Sequence, residues 1–141
     1  MSQVRDIVDD RELLWVEEND TVADVARRMA ELQVGAILVL NAGALRGIFS
    51  ERDLMRRVVL ERLDLDRTPV RSVMSTQLAT IDESASIEDA MEAMQSHKCR
   101  HLPVMREGRV TALLSMRDLI GYELAQKTDE LHHMHAYIRR S

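Results

Sequence analysis

The sequence has a single cysteine, few aromatic residues and no long apolar run. Cys99 alone cannot form an internal disulfide. The longest apolar stretch, residues 36–40, is far shorter than the roughly 20 residues that a membrane span needs. Residues 1–6 contain no apolar signal core. We therefore expect a cytoplasmic protein that has no membrane partner.

The chain also has no cluster of basic residues. Acidic residues outnumber basic ones, 24 to 19, and the two signs alternate along the sequence, so a nucleic-acid partner is not expected. With 141 residues, of which 45% are hydrophobic, the chain is long enough for one compact domain or for two half-domains that share a core. We do not expect a larger multidomain enzyme.

The sequence consists largely of an internal repeat. Shifting the sequence by 65 residues aligns residues 16–60 with residues 81–125 without a gap, and one inserted residue extends the match to residues 4–8 and 70–74. The identical pairs are Asp24/Asp89, Met29/Met94, Val39/Val104, Gly43/Gly108, Ser50/Ser115, Arg52/Arg117, Asp53/Asp118 and Leu54/Leu119. We divide the chain into residues 1–66, residues 67–127 and a C-terminal helical tail, residues 128–141.

Each copy predicts the order strand, helix, strand, strand, helix. Thr21 and Ser86 have the spacing of N-caps, and apolar residues then recur at helical intervals. Short β-rich runs flank turns at Gly43 and Gly108, and a second helix follows Ser50 or Ser115. The predicted fold class is α/β (α+β): each copy is a small mixed sheet packed on two helices, and the copies pack about a pseudo-two-fold axis.

Two Ser-x-x-Asp motifs, Ser50-x-x-Asp53 and Ser115-x-x-Asp118, open these second helices. A helix N-terminus has free N–H groups that favour a phosphate, and a carboxylate can accept hydrogen bonds from both hydroxyls of a ribose. Both motifs are also capping boxes that would stabilise their helices without any ligand. Cap and ligand roles are compatible with each other.

The repeated motif resembles the CBS (cystathionine β-synthase type) domain family. The similar segments are residues 47–53 (GIFSERD) in the first copy and residues 101–104 (HLPV) and 113–118 (LLSMRD) in the second. The resemblance implies a tandem pair of CBS domains that senses an adenine nucleotide, needs no cofactor and catalyses nothing. Ala112 stands where the family has a glycine like Gly47, which puts a close approach of ligand to the backbone there in doubt.

The same resemblance implies two clefts between the repeats. In site A, Asp53 faces residues 77–79 and 99–101; in site B, Asp118 faces residues 13–15 and 34–36. The implied nucleotide-binding residues are Ser50, Arg52, Asp53, Ala79, Arg100 and His101 for site A, and Ser115, Arg117, Asp118, Leu14 and Gly35 for site B. Lys98, Arg100 and His101 are cations suited to phosphate, whereas site B offers apolar and small residues. Nucleotide phosphates are therefore expected to prefer site A.

Two features allow other interpretations. His132, His133 and His135 have helical spacing for a metal, but we expect a C-terminal helix with Leu131, Met134 and Ile138 as its buried stripe and no metal. Cys99 lies beside cations, as reactive thiols do, but is expected to pack at a strand edge. No catalytic motif is present.

Apolar residues on the outward helices predict a homodimer. They are Met91, Met94, Met116, Leu119 and Ile120. Three functions follow for testing: a nucleotide-binding regulator read by an unidentified protein target, a constitutive dimerisation module with empty clefts, and a phosphate-transferring enzyme. The third would need a base and a cluster of metal-binding carboxylates, which the motifs lack.

Overall fold

The structure, a computed structural model, describes residues 2–140, except the side chains of residues 137, 139 and 140. Two units follow one another with the predicted order of elements. The helices are α1 (Arg5–Val8), α2 (Val22–Leu32), α3 (Glu51–Asp53, continued as a π turn, Leu54–Val59), α4 (Ile87–His97) and α5 (Met116–Arg140). The strands are β1 (Trp15–Glu17), β2 (Ala36–Asn41), β3 (Ala44–Ser50), β4 (Ile81–Asp82), β5 (His101–Arg106) and β6 (Arg109–Ser115), and a 3-10 turn covers Val70–Ser72.

The first helix of each repeat begins where the capping pattern predicts. The Thr21 hydroxyl accepts a hydrogen bond from the Asp24 N–H, and the Ser86 hydroxyl accepts one from the Asp89 N–H. Both helices end on a left-handed residue, Gln33 or Lys98. The buried face of α2 consists of Val22, Val25 and Met29, and that of α4 consists of Ile87, Ala90 and Met94.

Each repeat contains a three-stranded mixed sheet, in the order β1-β2-β3 or β4-β5-β6. The first strand runs parallel to the second, and the second and third form an antiparallel hairpin. Two-residue loops close both hairpins, and Gly43 and Gly108 have positive φ there. A register irregularity follows Val39 in one sheet and Val104 in the other, which are equivalent positions of the repeat.

The two repeats exchange their leading segments. Val4 and Val8 are buried in the core of the second repeat, and the Val4 N–H donates to the Ala85 carbonyl at 2.8 Å. Val70 and Val73 are buried in the core of the first repeat, and the Val70 N–H donates to the Asp20 carbonyl at 2.8 Å. Each core therefore contains residues from the other half of the sequence. A third cluster, with Leu38, Ile48 and Val110 at its centre, joins the two sheets.

The two repeats differ most in their last helix. The first has nine residues, 51–59, of which the last six form a π turn, whereas α5 continues for 25 residues through the predicted tail. The boundaries at residues 66 and 127 stay predictions. Among the described residues, no helix is long and apolar enough to cross a membrane.

Two expectations about the helical surfaces are wrong. Leu131, Met134 and Ile138 are not a buried stripe, because their exposed fractions are 56%, 60% and 64%. Met94 and Leu119 do not face outward but lie fully buried in the second core, since each helix needs one apolar residue per turn there. Met116 and Ile120 are exposed, as expected.

Candidate functional site

The first Ser-x-x-Asp motif forms a complete capping box at the end of β3. The Asp53 N–H donates to Ser50 Oγ at 3.1 Å, and the Ser50 N–H donates to Asp53 Oδ2 at 3.0 Å. Asp53 is only 8% exposed. A buried carboxylate needs hydrogen-bond donors, and this one receives them from its own backbone cap and from a distant segment.

That distant segment is the loop that follows the 3-10 turn. The Ser75 hydroxyl donates to Asp53 Oδ1 at 3.2 Å, and Ser75 pairs with Ile48 of β3 through two backbone hydrogen bonds of 2.9 and 3.0 Å. Arg57 lies 3.8 Å from Asp53 Oδ1 through Nε and donates from a terminal nitrogen to the Met74 carbonyl at 2.9 Å. Asp53 thus faces the leading segment of the second repeat, just before residues 77–79.

Gly47 lies against this segment, which leaves no room for a side chain. A Cβ at position 47 would lie 2.7 Å from Met74 Sδ and 2.7 Å from the Ser75 carbonyl oxygen. The equivalent Ala112 of the second repeat is 3% exposed and packs in the second core, so a methyl group is accommodated there. The departure at Ala112 therefore has a packing explanation.

The second motif is also a capping box, but its carboxylate has a different partner. The Ser115 N–H donates to Asp118 Oδ2 at 2.8 Å, and Arg11 donates from both terminal nitrogens to the two Asp118 oxygens, each at 2.8 Å. Burial raises the pKa of Asp118, but the hydrogen bonds from Arg11 and Ser115 outweigh it and the net pKa is lowered. The hydrogen bond to Asp118 raises the pKa of Arg11.

Site B contains an arginine, Arg11, outside the positions that were compared with the cations of site A. Arg11 lies in the segment that leads into β1, three residues after Val8, whose carbonyl accepts from the Arg11 N–H at 3.0 Å. Sequence reasoning missed it because positions 76 and 77, which the inserted residue makes its possible counterparts, are the uncharged Thr76 and Gln77. The signal that could have found it is a lone arginine just before the residues predicted to face Asp118.

His101 pairs in the sheet with Ser115, which caps the second helix of its own repeat. Burial lowers its pKa, the negative charges of Asp118 and Glu51 act in the opposite direction, Arg100 adds to the lowering, and the net pKa is lowered. Asp118 belongs to the repeat that contains His101, whereas Glu51 belongs to the other. The imidazole is therefore placed where charges from both repeats converge.

The residues before β2 and β5 contact the second helix of their own repeat. The Gly35 carbonyl accepts from the Glu51 N–H at 2.9 Å, and the Arg100 carbonyl accepts from the Met116 N–H at 2.8 Å. A Cβ on Gly35 would meet Glu51 Cδ at 3.6 Å, an ordinary contact. These equivalent bonds bring Gly35 beside the first motif and Arg100 beside the second.

The remaining predicted site residues are less closely tied to the two carboxylates. Arg52, Arg117 and Arg100 have exposed side chains. Ala79 packs against the second core, and Leu14 is half-buried ahead of β1. Cys99 is a free, half-buried cysteine that also packs against the second core. Among residues 2–140, no group of three or more His, Cys, Asp or Glu side chains could hold a metal ion.

Comparison with known proteins identifies the family. The family model described as CBS domain matches residues 4–60 and again residues 70–125. The chain therefore belongs to the CBS domain family and contains two CBS repeats.

Similar proteins come from bacteria, plants and archaea. The chain is 31% identical over 128 residues to the CBS domain-containing protein YhcV of Bacillus subtilis, covering 91% of this chain and 90% of that protein. It is 30% identical over 131 residues to the mitochondrial CBS domain-containing protein CBSX3 of Arabidopsis thaliana, covering 89% of this chain but 64% of that protein's length. The solved CBS domain protein PAE2072 of Pyrobaculum aerophilum, complexed with AMP, is 28% identical with a TM-score of 0.76, over 88% of this chain and 98% of that chain.

Proposed function

We propose that this chain is a regulatory module that binds an adenosine-containing nucleotide of the AMP, ADP and ATP class between its two CBS repeats. The proposal rests on one observation, which is that each of the two carboxylate sites contains residues from both repeats. Asp53 of the first repeat contacts Ser75 from the leading segment of the second repeat, and Asp118 of the second contacts Arg11 from the leading segment of the first. A ligand at either carboxylate would touch both repeats.

The groups around each carboxylate suit a nucleotide. A carboxylate accepts two ribose hydroxyls, and the neighbouring helix N-terminus and cations favour phosphate oxygens. In the expected site A, His101 supplies a donor group and is acted on by the charge of Glu51 beside the first motif. Arg100 supplies an exposed cation, although its carbonyl bonds the helix of the second motif. The AMP complex of PAE2072 supports this ligand class. The binding residues remain those predicted from the sequence, and Arg11 is the group that a ligand would displace from Asp118 in site B.

Nucleotide binding would replace bonds that already exist. The Asp53 carboxylate would exchange the Ser75 hydroxyl for a ribose hydroxyl, and Asp118 would exchange the guanidinium of Arg11. Such an exchange couples ligand binding to the two leading segments, which are also part of the two cores. We propose that a protein target in the cytoplasm reads the resulting change, and that the module acts without a chemical step or a cofactor.

One observation favours the alternative of a constitutive dimerisation module. Both aspartates are satisfied by intramolecular donors, as they would be if the motifs were only helix caps. We retain the homodimer in both hypotheses, because Met116 and Ile120 are exposed apolar residues on α5. Ligand binding therefore distinguishes the two functions, whereas the oligomeric state does not.

The deciding experiment is calorimetric titration of AMP, ATP and S-adenosylmethionine into purified, nucleotide-stripped protein, with melting temperatures recorded in parallel. Saturable heat and a higher melting temperature with at least one of them are expected, because a ligand that binds only the folded state stabilises it. No heat and no shift with any of the three would leave the dimerisation module as the function. Release of phosphate during incubation would instead indicate the enzyme.

A further inference from the structure

The long helix α5 leaves the body of the protein after its second turn. Leu119 and Tyr122 are its last contacts with the second core, and every side chain from residue 123 to residue 136 is exposed. This stretch is about four turns long. Isolated helices of about 12 to 15 residues are marginally stable in water, so a projecting helix of this length needs a partner.

The exposed stretch contains a heptad pattern of apolar residues. With Leu124 as the first a position, the a and d positions are Ile120, Leu124, Lys127, Leu131, Met134 and Ile138. The spacing alternates strictly between four and three residues, which is the pattern of a coiled coil. Ile120, Leu124, Leu131 and Met134 are between 52% and 61% exposed in the single chain. Lys127 is the one charged residue of the pattern.

Charges beside this face indicate the partner and its orientation. The g positions are Glu123 and Glu130, and the e positions Thr128 and His135. In an antiparallel pair of identical helices g faces g, which would oppose glutamates to each other. In a parallel pair g faces e of the next heptad, which places Glu123 opposite Thr128 and Glu130 opposite His135. At the e and g positions the parallel pair avoids like charges, although it brings the Lys127 side chains of the two copies together at d.

We propose that residues 120–138 of α5 form a parallel, in-register coiled coil with the same residues of a second copy of this chain. The proposal deepens the homodimer of the preceding section by naming the surface that holds it, and it is independent of nucleotide binding. The Leu131, Met134 and Ile138 stripe is then buried as the sequence predicts, but between two chains. Lys127 weakens the coiled coil and fixes its register, as single polar residues in such cores do.

Substitution by glutamate, which introduces a negative charge, tests the surface. Leu131→Glu places the new charge at an a position, and the control Ala136→Glu places the same charge at the outer f position. By light scattering at micromolar concentration we expect wild type and Ala136→Glu to be dimers and Leu131→Glu to dissociate at least 10-fold more easily. A dimer of unchanged affinity in Leu131→Glu overturns the coiled coil while leaving the homodimer. A monomeric wild type overturns both.

Disulfide crosslinking tests the orientation. In a Cys99→Ser background, Lys127→Cys and Met134→Cys place single cysteines at two d positions one heptad apart, and Ala136→Cys is the control. A parallel, in-register pair brings each d position opposite itself, so both d variants should crosslink under mild oxidation and the control should not. An antiparallel pair can bring at most one of the two opposite itself. A crosslink at only one d position, or at neither, overturns the parallel arrangement.

Discussion

Arg11 and Asp118, 107 positions apart in sequence, form a two-point ion pair in which both nitrogen–oxygen distances are 2.8 Å. The pair occupies both oxygens of the carboxylate that site B would offer to a ribose. It also ties the leading segment of the first repeat to the second helix of the second repeat. Whatever binds at Asp118 must first displace this guanidinium.

Removing the guanidinium should therefore open site B. We expect Arg11→Gln to raise nucleotide affinity at this site three- to fivefold, because a partly exposed ion pair contributes about 1 kcal/mol or less. Arg27→Gln is the matched control, since Arg27 forms an exposed ion pair with Asp24 that lies far from either carboxylate in sequence. Calorimetry on both variants measures the effect. Weaker binding in Arg11→Gln would show that Arg11 contacts the phosphate instead.

Asparagine substitutions separate the ligand role of the two aspartates from the capping role. If site A dominates, Asp53→Asn should weaken nucleotide binding by about 1.5–3 kcal/mol, a roughly 10- to 100-fold rise in Kd, and Asp118→Asn should have a smaller effect. Asparagine is also a good N-terminal capping residue and preserves size, so helix stability changes less than affinity. Calorimetry measures the Kd of each variant, and melting temperatures without ligand measure its stability. A variant that melts earlier but binds normally has lost only a cap.

Replacement by alanine should have opposite effects on stability at two glycines, Gly47 and Gly121. A Cβ at Gly47 meets Met74 and Ser75 at 2.7 Å, so Gly47→Ala should destabilise by about 1–3 kcal/mol through overpacking. Gly121 lies within α5, where a Cβ meets no heavy atom within 4 Å, so Gly121→Ala should stabilise the helix by about 0.5–1 kcal/mol. Denaturant unfolding measures both. Equal stability of Gly47→Ala and wild type would disprove the close approach of the loop to β3.

His101 should make stability depend on pH. Burial lowers its pKa in the folded state, so the unfolded chain binds the proton at higher pH than the folded chain does. The resulting stability is fully present above the ordinary histidine pKa of about 6.5 and is lost as pH falls through the lowered folded value. Denaturant midpoints at about pH 7.5 and about pH 5.5 should differ less for His101→Gln than for wild type. An unchanged difference would contradict this assignment.

A cut between residues 66 and 67 should leave neither half folded. The first fragment loses Val70, Val73 and Met74 from its core, and the second loses Val4 and Val8. We expect no cooperative thermal transition in either fragment alone and recovery of one when the two are mixed. A cooperative transition in a single fragment would show that its core does not depend on the exchanged segment.

The sequence predicts the parts of this fold that depend on local chemistry. Thr21, Ser50, Ser86 and Ser115 each begin a helix, because a hydroxyl with an acidic residue three positions later satisfies the free N–H groups of the first turn. The hairpin glycines, Gly43 and Gly108, adopt the positive φ that their turns require. These features repeat at a constant spacing, so each copy supports the interpretation of the other.

Contacts between distant residues are less predictable. The sequence places Arg11 just before the residues predicted to face Asp118 but does not show that the two side chains pair, since the pairing depends on which repeat receives the leading segment. The heptad residues of α5 indicate an apolar face, but burial depends on what is packed against that face, and a single chain supplies no partner for Leu131 or Met134. Periodicity therefore identifies the apolar face correctly, but the prediction that this face is buried within its own chain is wrong.

The exchange of leading segments also sets an order for folding during synthesis. The ribosome releases the chain from its N-terminus, so Val4 emerges well before Ala85, whose carbonyl its N–H will bond. The core of the first repeat is complete once Met74 is available, whereas Val4 and Val8 must wait until β4, β5 and β6 have been made. At ordinary translation rates this delay is on the order of ten seconds. Val4 and Val8 are thus made before the core that they enter, and are among the last residues to reach their place.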